Sequence, residues 1–129
     1  RGAGGRDECT ICTTSTSWWV RGGAVREYHL DPARVGLERH PVGMLRGADA
    51  AHNAQVVRDV FAGAVGPVRD AVVLNAGIAL ALTVPDLGES QVDFVASVQK
   101  GMDRAGAAID DGSATSLLAR WVTAPADRS

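Results

Sequence analysis

Lysine is almost missing from this chain: Lys100 is the only one, and the arginines are scattered rather than clustered. With 13 Lys and Arg against 15 Asp and Glu, the formal charge is −2, which leaves no basic face for a nucleic-acid partner. No apolar run reaches the ~20 residues that a bilayer crossing requires, so no membrane association is expected. No basic stretch followed by an apolar run opens the chain, so no signal peptide is expected and the cytoplasm is the default. The chain opens at Arg1 rather than methionine, which reads as processing or as a cut from something longer. A glycine-rich stretch, Arg1 to Glu8, lacks a following Gly-Lys-Ser/Thr, which excludes a nucleotide P-loop.

There are only two cysteines, spaced as Cys9-Thr10-Ile11-Cys12. A lone C-x-x-C is either a redox pair or half of a zinc site. Zinc needs two more ligands, and His29, His40 and His52 lie far apart without ligand spacing. A redox pair opens a helix, whereas this one enters a Thr/Ser-rich strand. The pair therefore reads as two small residues on strand faces.

What is present is the composition of a soluble globular domain, 46% hydrophobic and 22% charged, and 129 residues make one domain at most. Its centre is the stretch from Gly66 to Leu82. Pro67 suits a first helical position, and Asp70 puts a negative charge in the opening turn. From Ala71 to Leu82 the only polar side chain is Asn75. A helix apolar all round is a buried one, so 67–82 is predicted as the core helix, with Val72, Leu74, Ile78 and Leu80 fully buried or facing protein missing from this segment. Asn75 must then find partners, and a hydrogen bond to a neighbouring loop is the expected use.

Before that helix, Thr10 to Arg21 has β composition, Gly22-Gly23 makes a turn, and Ala24 to Leu30 forms a second strand. Trp18 and Val20 share one face and Trp19 the other, which suggests cover on both. Asp31-Pro32 opens a single turn up to Gly36, and loop follows through Met44. Asp49 caps a helix with Ala50, Ala54, Val57, Val60 and Phe61 at helical spacing, stopped by Gly63. This helix is predicted to pack antiparallel on the core helix. His52 on it reads as a surface residue.

Pro85 and Gly88 break the chain. A helix from about Glu89 then shows Val92, Val95, Val98, Met102, Ala105 and Ile109 on one face. Gly101 and Gly106 inside it each cost ~1 kcal/mol against alanine, which points to close backbone packing. Gly112 ends that helix, Ser113 caps the next, and Leu117, Leu118 and Trp121 should anchor it. Residues 123–129 are expected to fray.

Three stretches together resemble one family: Gly5-Arg6-Asp7-Glu8 before a Thr-rich strand, Gly47-Ala48-Asp49-Ala50-Ala51-His52-Asn53-Ala54, and Gly66-Pro67-Val68-Arg69-Asp70-Ala71-Val72-Val73-Leu74-Asn75-Ala76. Their order, the hairpin ending in Leu30-Asp31-Pro32 and the closing Ile109-Asp110-Asp111-Gly112-Ser113-Ala114 are similar to the C-terminal part of anthranilate phosphoribosyltransferases. The likeness runs from about Gly2 to Val122 and is closest to actinobacterial members.

The resemblance implies an α/β fold: the C-terminal portion of a nucleoside-phosphorylase/phosphoribosyltransferase-type domain over 1–122, a β-hairpin followed by packed helices. It implies transfer of phosphoribosyl from phosphoribosyl pyrophosphate to anthranilate in tryptophan biosynthesis. In that family an adjacent Asp-Glu pair helps hold Mg²⁺, and Asp7 and Glu8 match it. Without that context the two acids read as a solvated pair. The sequence departs from the family at Arg6, where leucine is usual, at Cys9 and Cys12, where threonine-type residues are usual, and at Ala48, where a second glycine is.

The resemblance further implies that the phosphate-binding loop, the anthranilate contacts, the homodimer helices and the other sheet strands belong to a longer N-terminal part. This segment alone is expected to be inactive and poorly folded, with no catalytic or cofactor-binding residue beyond the metal pair. The alternative is a catalytically silent relative acting as an interaction or nucleic-acid-binding module, which the lack of basic clusters disfavours. A pyrimidine-nucleoside phosphorylase relative would share the fold but should not end in this helical pattern.

Overall fold

A computed structural model describes residues 2, 7–83 and 89–124. Two strands, β1 (Ser15–Arg21) and β2 (Ala24–Leu30), are followed by α1 (Ala50–Phe61), α2 (Pro67–Ala81), α3 (Gln91–Asp110) and α4 (Ser113–Thr123). Pro32–Val35 and Val42–Leu45 form single 3₁₀ turns, the second within what the sequence suggests is loop. The expected breakers Pro85 and Gly88 lie outside the described residues, as do residues 125–129 of the tail; Thr123 is still helical.

The hairpin is antiparallel, in register from Ser15↔Leu30 to Arg21↔Ala24. Its turn needs positive φ at both central positions, and Gly22 (57°) and Gly23 (78°) supply them. The first strand starts at Ser15, not at Thr10. Side chains divert the backbone before it: the Ser15 hydroxyl accepts from the Thr10 N–H, and the Thr10 hydroxyl accepts from the Cys12 N–H.

Only one face of the hairpin is covered among the described residues. Trp19 turns inward to Tyr28 and Phe94 of α3, edge-on to both at 5.9 and 5.0 Å, while Tyr28 and Phe94 stack at 4.6 Å. Trp18 on the opposite face is 53% exposed, beside the exposed Val20 and Val25. Its indole N–H donates to Glu27, which satisfies the polar end without a covering layer.

The main helix contact is between α2 and α3. It is close because glycine meets glycine: a Cβ on Gly101 would run into the Gly77 carbonyl, and one on Gly77 would come within 2.8 Å of the Met102 backbone nitrogen. Leu74 and Val98 are buried beside this crossing, and Arg69 pairs with Asp110 where the helices meet again. The predicted pairing of α1 with α2 is therefore corrected, since α1 packs on α3 and α4. Of the α2 residues expected to be buried or to face missing protein, Leu74 is buried, Ile78 and Leu80 are half-buried and Val72 is exposed, because one strip of α2 takes the α3 contact.

On α3 the buried residues are Phe94, Val98, Gly101, Met102, Ala105 and Ile109. Val92, expected among them, is exposed: it lies roughly 200° around the helix from Phe94 at 100° per residue. Gly101 confirms the close-packing reading of its glycine, but Gly106 does not, since a Cβ there would meet only Arg69 Nη2 at 3.8 Å. Leu117 and Trp121 do not anchor α4; they are 58% and 76% exposed. α4 packs on α3 and α1, and the Thr115 hydroxyl ties its first turn to the end of α1, donating to the Phe61 carbonyl at 2.7 Å. Gly112, at φ 79°, is its cap and Ser113 its first residue.

Two outcomes follow for stability. In a protein carrying this segment, Gly101→Ala should cost at least ~2 kcal/mol in chemical unfolding, because backbone cannot yield as a side chain does. Gly106→Ala, with open space at its Cβ, should instead gain up to ~1 kcal/mol.

Several helix ends also make stability depend on acid. The Ser90 hydroxyl holds Asp93 below the ordinary carboxylate value of 3.8, as the Ser113 side chain does for Asp111 and the Arg39 guanidinium for Asp31. A folded-state pKa below the unfolded one stabilises above the unfolded value and is lost as pH falls through the folded value. Protection of the Ser90 and Asp93 amides, taken relative to their intrinsic exchange rate at each pH, should therefore stay flat down to about pH 5 and fall below 3.8 as the Ser90–Asp93 capping box opens. Loss of that protection already near neutral pH would refute this.

Candidate functional site

Asp7 and Glu8 lie on a bend just before the turn that leads into β1, and both are exposed. Among the described residues neither carboxylate has an ion pair. Arg6, the sequence departure beside them, lies outside the described residues, as do Gly4 and Gly5.

The backbone under this pair is fixed more firmly than its side chains. The Glu8 carbonyl accepts from the Gly2 N–H at 3.1 Å, and Gly2 bridges to Ser15 of β1. A Cβ on Gly2 would press on Thr10 Cγ2 and the Glu8 oxygen at 3.0 and 3.1 Å, so glycine suits this crossing. On the other side Asn75 of α2 takes both backbone groups of Cys9. Its Oδ1 accepts from the Cys9 N–H at 3.1 Å, and its Nδ2 donates to the Cys9 oxygen at 2.9 Å. This is the loop contact expected of Asn75. Glu8, Thr10, Leu45, Val68, Val72 and Asn75 border a cleft of about 340 Å³ between this turn and α2.

Cys9 and Cys12 are free thiols, half-buried against the core in the turn, not on strand faces. Cys9 Sγ lies 3.7 Å from Ser17 Oγ. His52 is exposed as expected, its N–H donating to the Asp49 carboxylate that caps α1. The sequence reading passed over Asn53. Its Oδ1 accepts from the Ala48 N–H at 3.0 Å and its Nδ2 donates to the Ala48 oxygen at 3.1 Å, shaping the Gly47–Asp49 entry to α1. An amide four residues past an Asp N-cap, behind a glycine, was the available signal.

No cluster of three or more His, Cys, Asp or Glu exists among the described residues, so no all-protein metal cage forms there. Two adjacent exposed carboxylates are still a suitable donor set for Mg²⁺, a hard ion that keeps waters and takes one or two carboxylates alongside substrate phosphates.

The α/β hairpin-and-helix arrangement that carries this pair matches a known family model, the a/b domain of the glycosyl transferase family, over residues 1–115. The chain belongs to the glycosyl transferase family. Within that family it is similar to proteins named anthranilate phosphoribosyltransferase. It is 53% identical to one from Nocardioides sp. over 98% of this chain and 36% of that protein. It is 48% identical to those of Acidothermus cellulolyticus and Streptomyces avermitilis, each over 96% of this chain and 34% of theirs. The chain thus spans about a third of the length of the curated relatives it matches. The glycosyl transferase a/b match extends from the acid-bearing loop through α3 to the first residues of α4.

The turn beneath the acid pair rests on one buried hydroxyl. Ser15→Ala leaves the Thr10 N–H without its acceptor in a buried place, a loss of about 1–3 kcal/mol. Chemical unfolding should register that loss, and faster exchange of the Thr10 amide should locate it in the turn. An unchanged Thr10 amide would sink the assignment.

Proposed function

We propose that this chain is the acid-pair-bearing segment of an anthranilate phosphoribosyltransferase. The enzyme so formed moves phosphoribosyl from phosphoribosyl pyrophosphate to anthranilate in tryptophan biosynthesis. The observation that carries the reading is 46–53% identity, over nearly the whole chain, to relatives of that name. In the reaction, the anthranilate nitrogen forms a bond to ribose C1 while the bond from C1 to the pyrophosphate oxygen breaks. Pyrophosphate leaves with the electron pair, and the nitrogen sheds a proton.

In this reading Asp7 and Glu8 hold Mg²⁺ against the diphosphate. When bound, Mg²⁺ supplies Lewis-acid neutralisation of the leaving group's charge, worth several kcal/mol. The two carboxylates project freely from an anchored backbone, which suits an ion shared with a substrate. The partners are the remainder of the enzyme, a second copy in a homodimer, and the two substrates; nucleic acid is not among them. No helix among the described residues is long and apolar enough to cross a membrane. The cytoplasm is the proposed location, where this biosynthetic chemistry would draw on its substrates.

Among the described residues we assign none to orienting anthranilate or holding the ribose phosphate, and positioning of both reactants supplies much of such a rate. We therefore expect no transfer and only weak Mg²⁺ affinity from residues 1–129 alone. Grafted in place of the matching segment of the Nocardioides protein, the chain should support transfer. In that graft, Asp7→Asn with Glu8→Gln should lower turnover and move the Mg²⁺ midpoint to higher concentration. An unchanged Mg²⁺ titration would remove the acid pair from the reaction, and an inactive graft would overturn the functional reading.

A further inference from the structure

Asn75 does more than join a helix to a loop. Its Oδ1 accepts from the Cys9 N–H, and that N–H belongs to the same peptide unit as the Glu8 carbonyl, which accepts from Gly2. One peptide plane, the one leaving Glu8, is thus held from both sides. The following carbonyl, that of Cys9, is held by the same asparagine through Nδ2. The amide is itself immobilised, since its second N–H donates to the Ala71 oxygen one turn back at 2.9 Å. Three bonds out of the four an asparagine can make leave it little freedom. Asn75 also sits two residues before Gly77, where α2 is locked against α3.

We propose that Asn75 is a positioning residue for the acid pair: it fixes the Glu8–Cys9 peptide so that Asp7 and Glu8 present their carboxylates ready to take Mg²⁺ with the diphosphate. The proposal rests on the function proposed above and adds to it the residue that orients the ligands. Without the clamp the two carboxylates remain, but the backbone must be ordered each time the ion binds, which weakens apparent affinity. Loss of a partner that orients a metal ligand costs of order 10-fold in affinity.

The experiment compares Asn75→Ala, Ile109→Ala and the Asp7→Asn/Glu8→Gln double variant in the active graft. Asn75→Ala should raise the Mg²⁺ midpoint about 10-fold while turnover at saturating Mg²⁺ stays within about twofold. Ile109→Ala, buried on α3 two turns beyond the Gly101 crossing, should lower the melting temperature but leave the Mg²⁺ midpoint in place. A readout independent of activity is alkylation of Cys9 by iodoacetamide, which should speed up in Asn75→Ala and not in Ile109→Ala. If Asn75→Ala is insoluble, Asn75→Leu is read the same way: it keeps the branched shape and the neutral charge but loses all three hydrogen bonds. A lowered melting temperature with unmoved Mg²⁺ midpoint and Cys9 reactivity would reduce Asn75 to a structural contact and overturn the proposal. An acid-pair variant with unchanged Mg²⁺ response would remove the acid pair from the reaction, and this proposal with it, whereas an inactive graft would overturn the functional reading itself.

Discussion

The approach of α2 to α3 at Gly77 and Gly101 sets the positions of the other described elements. A hydrogen in place of a side chain at both positions lets the Gly77 carbonyl reach the opposing backbone, and no other residue type leaves that room. The cost of two glycines inside helices is set against the burial of Leu74, Val98 and Met102 around the crossing. With α3 so placed, Phe94 lies under Trp19 and Tyr28, which seats the hairpin. With α2 so placed, Asn75 faces the turn that follows Asp7 and Glu8.

Two described loops and the open edge of β2 are held by a device that recurs three times. A side-chain amide offers its oxygen to the N–H and its nitrogen to the C=O of a single backbone residue. Asn75 does this to Cys9, Asn53 to Ala48 and Gln91 to His29. In each case the carboxamide acts as a missing strand would, satisfying one residue's pair of polar groups where no ladder continues. Gln91 is helped by its neighbour Glu89, whose carbonyl accepts from the Tyr28 hydroxyl and whose carboxylate pairs with Arg26.

Local chemistry made much of this legible from the sequence. Asp31-Pro32, Asp49, Gly22-Gly23 and Gly112 marked ends and turns because caps and positive φ depend on one residue and its immediate neighbours. The extent of α2 was equally readable, since its apolar run has clear borders. Partner choice was not: Val57, Val60 and Phe61 on α1 signal an apolar stripe but not which helix meets it, and of the three only Val60 is buried. The start of β1 was missed because Thr and Ser count as β-formers by composition, while here their hydroxyls compete with the ladder. For the site, the resemblance singled out Asp7 and Glu8, and burial logic found a loop for Asn75; which loop it would clasp is tertiary information.

The contacts that seat the hairpin have one more consequence, in the order of events during synthesis. Cys9 waits for Asn75, 66 residues later; Tyr28 waits for Glu89, and His29 for Gln91, 61 and 62 residues later. A two-stranded hairpin is marginal by itself in water. Within this segment the strands therefore precede the helices that seat them and acquire their fixed place only after a loop of some sixty residues has closed, a long-range step that slows folding. Until α3 arrives, Trp19 lacks the Phe94 ring that packs against it, and a nascent chain paused before Gln91 would carry both tryptophans without cover from α3.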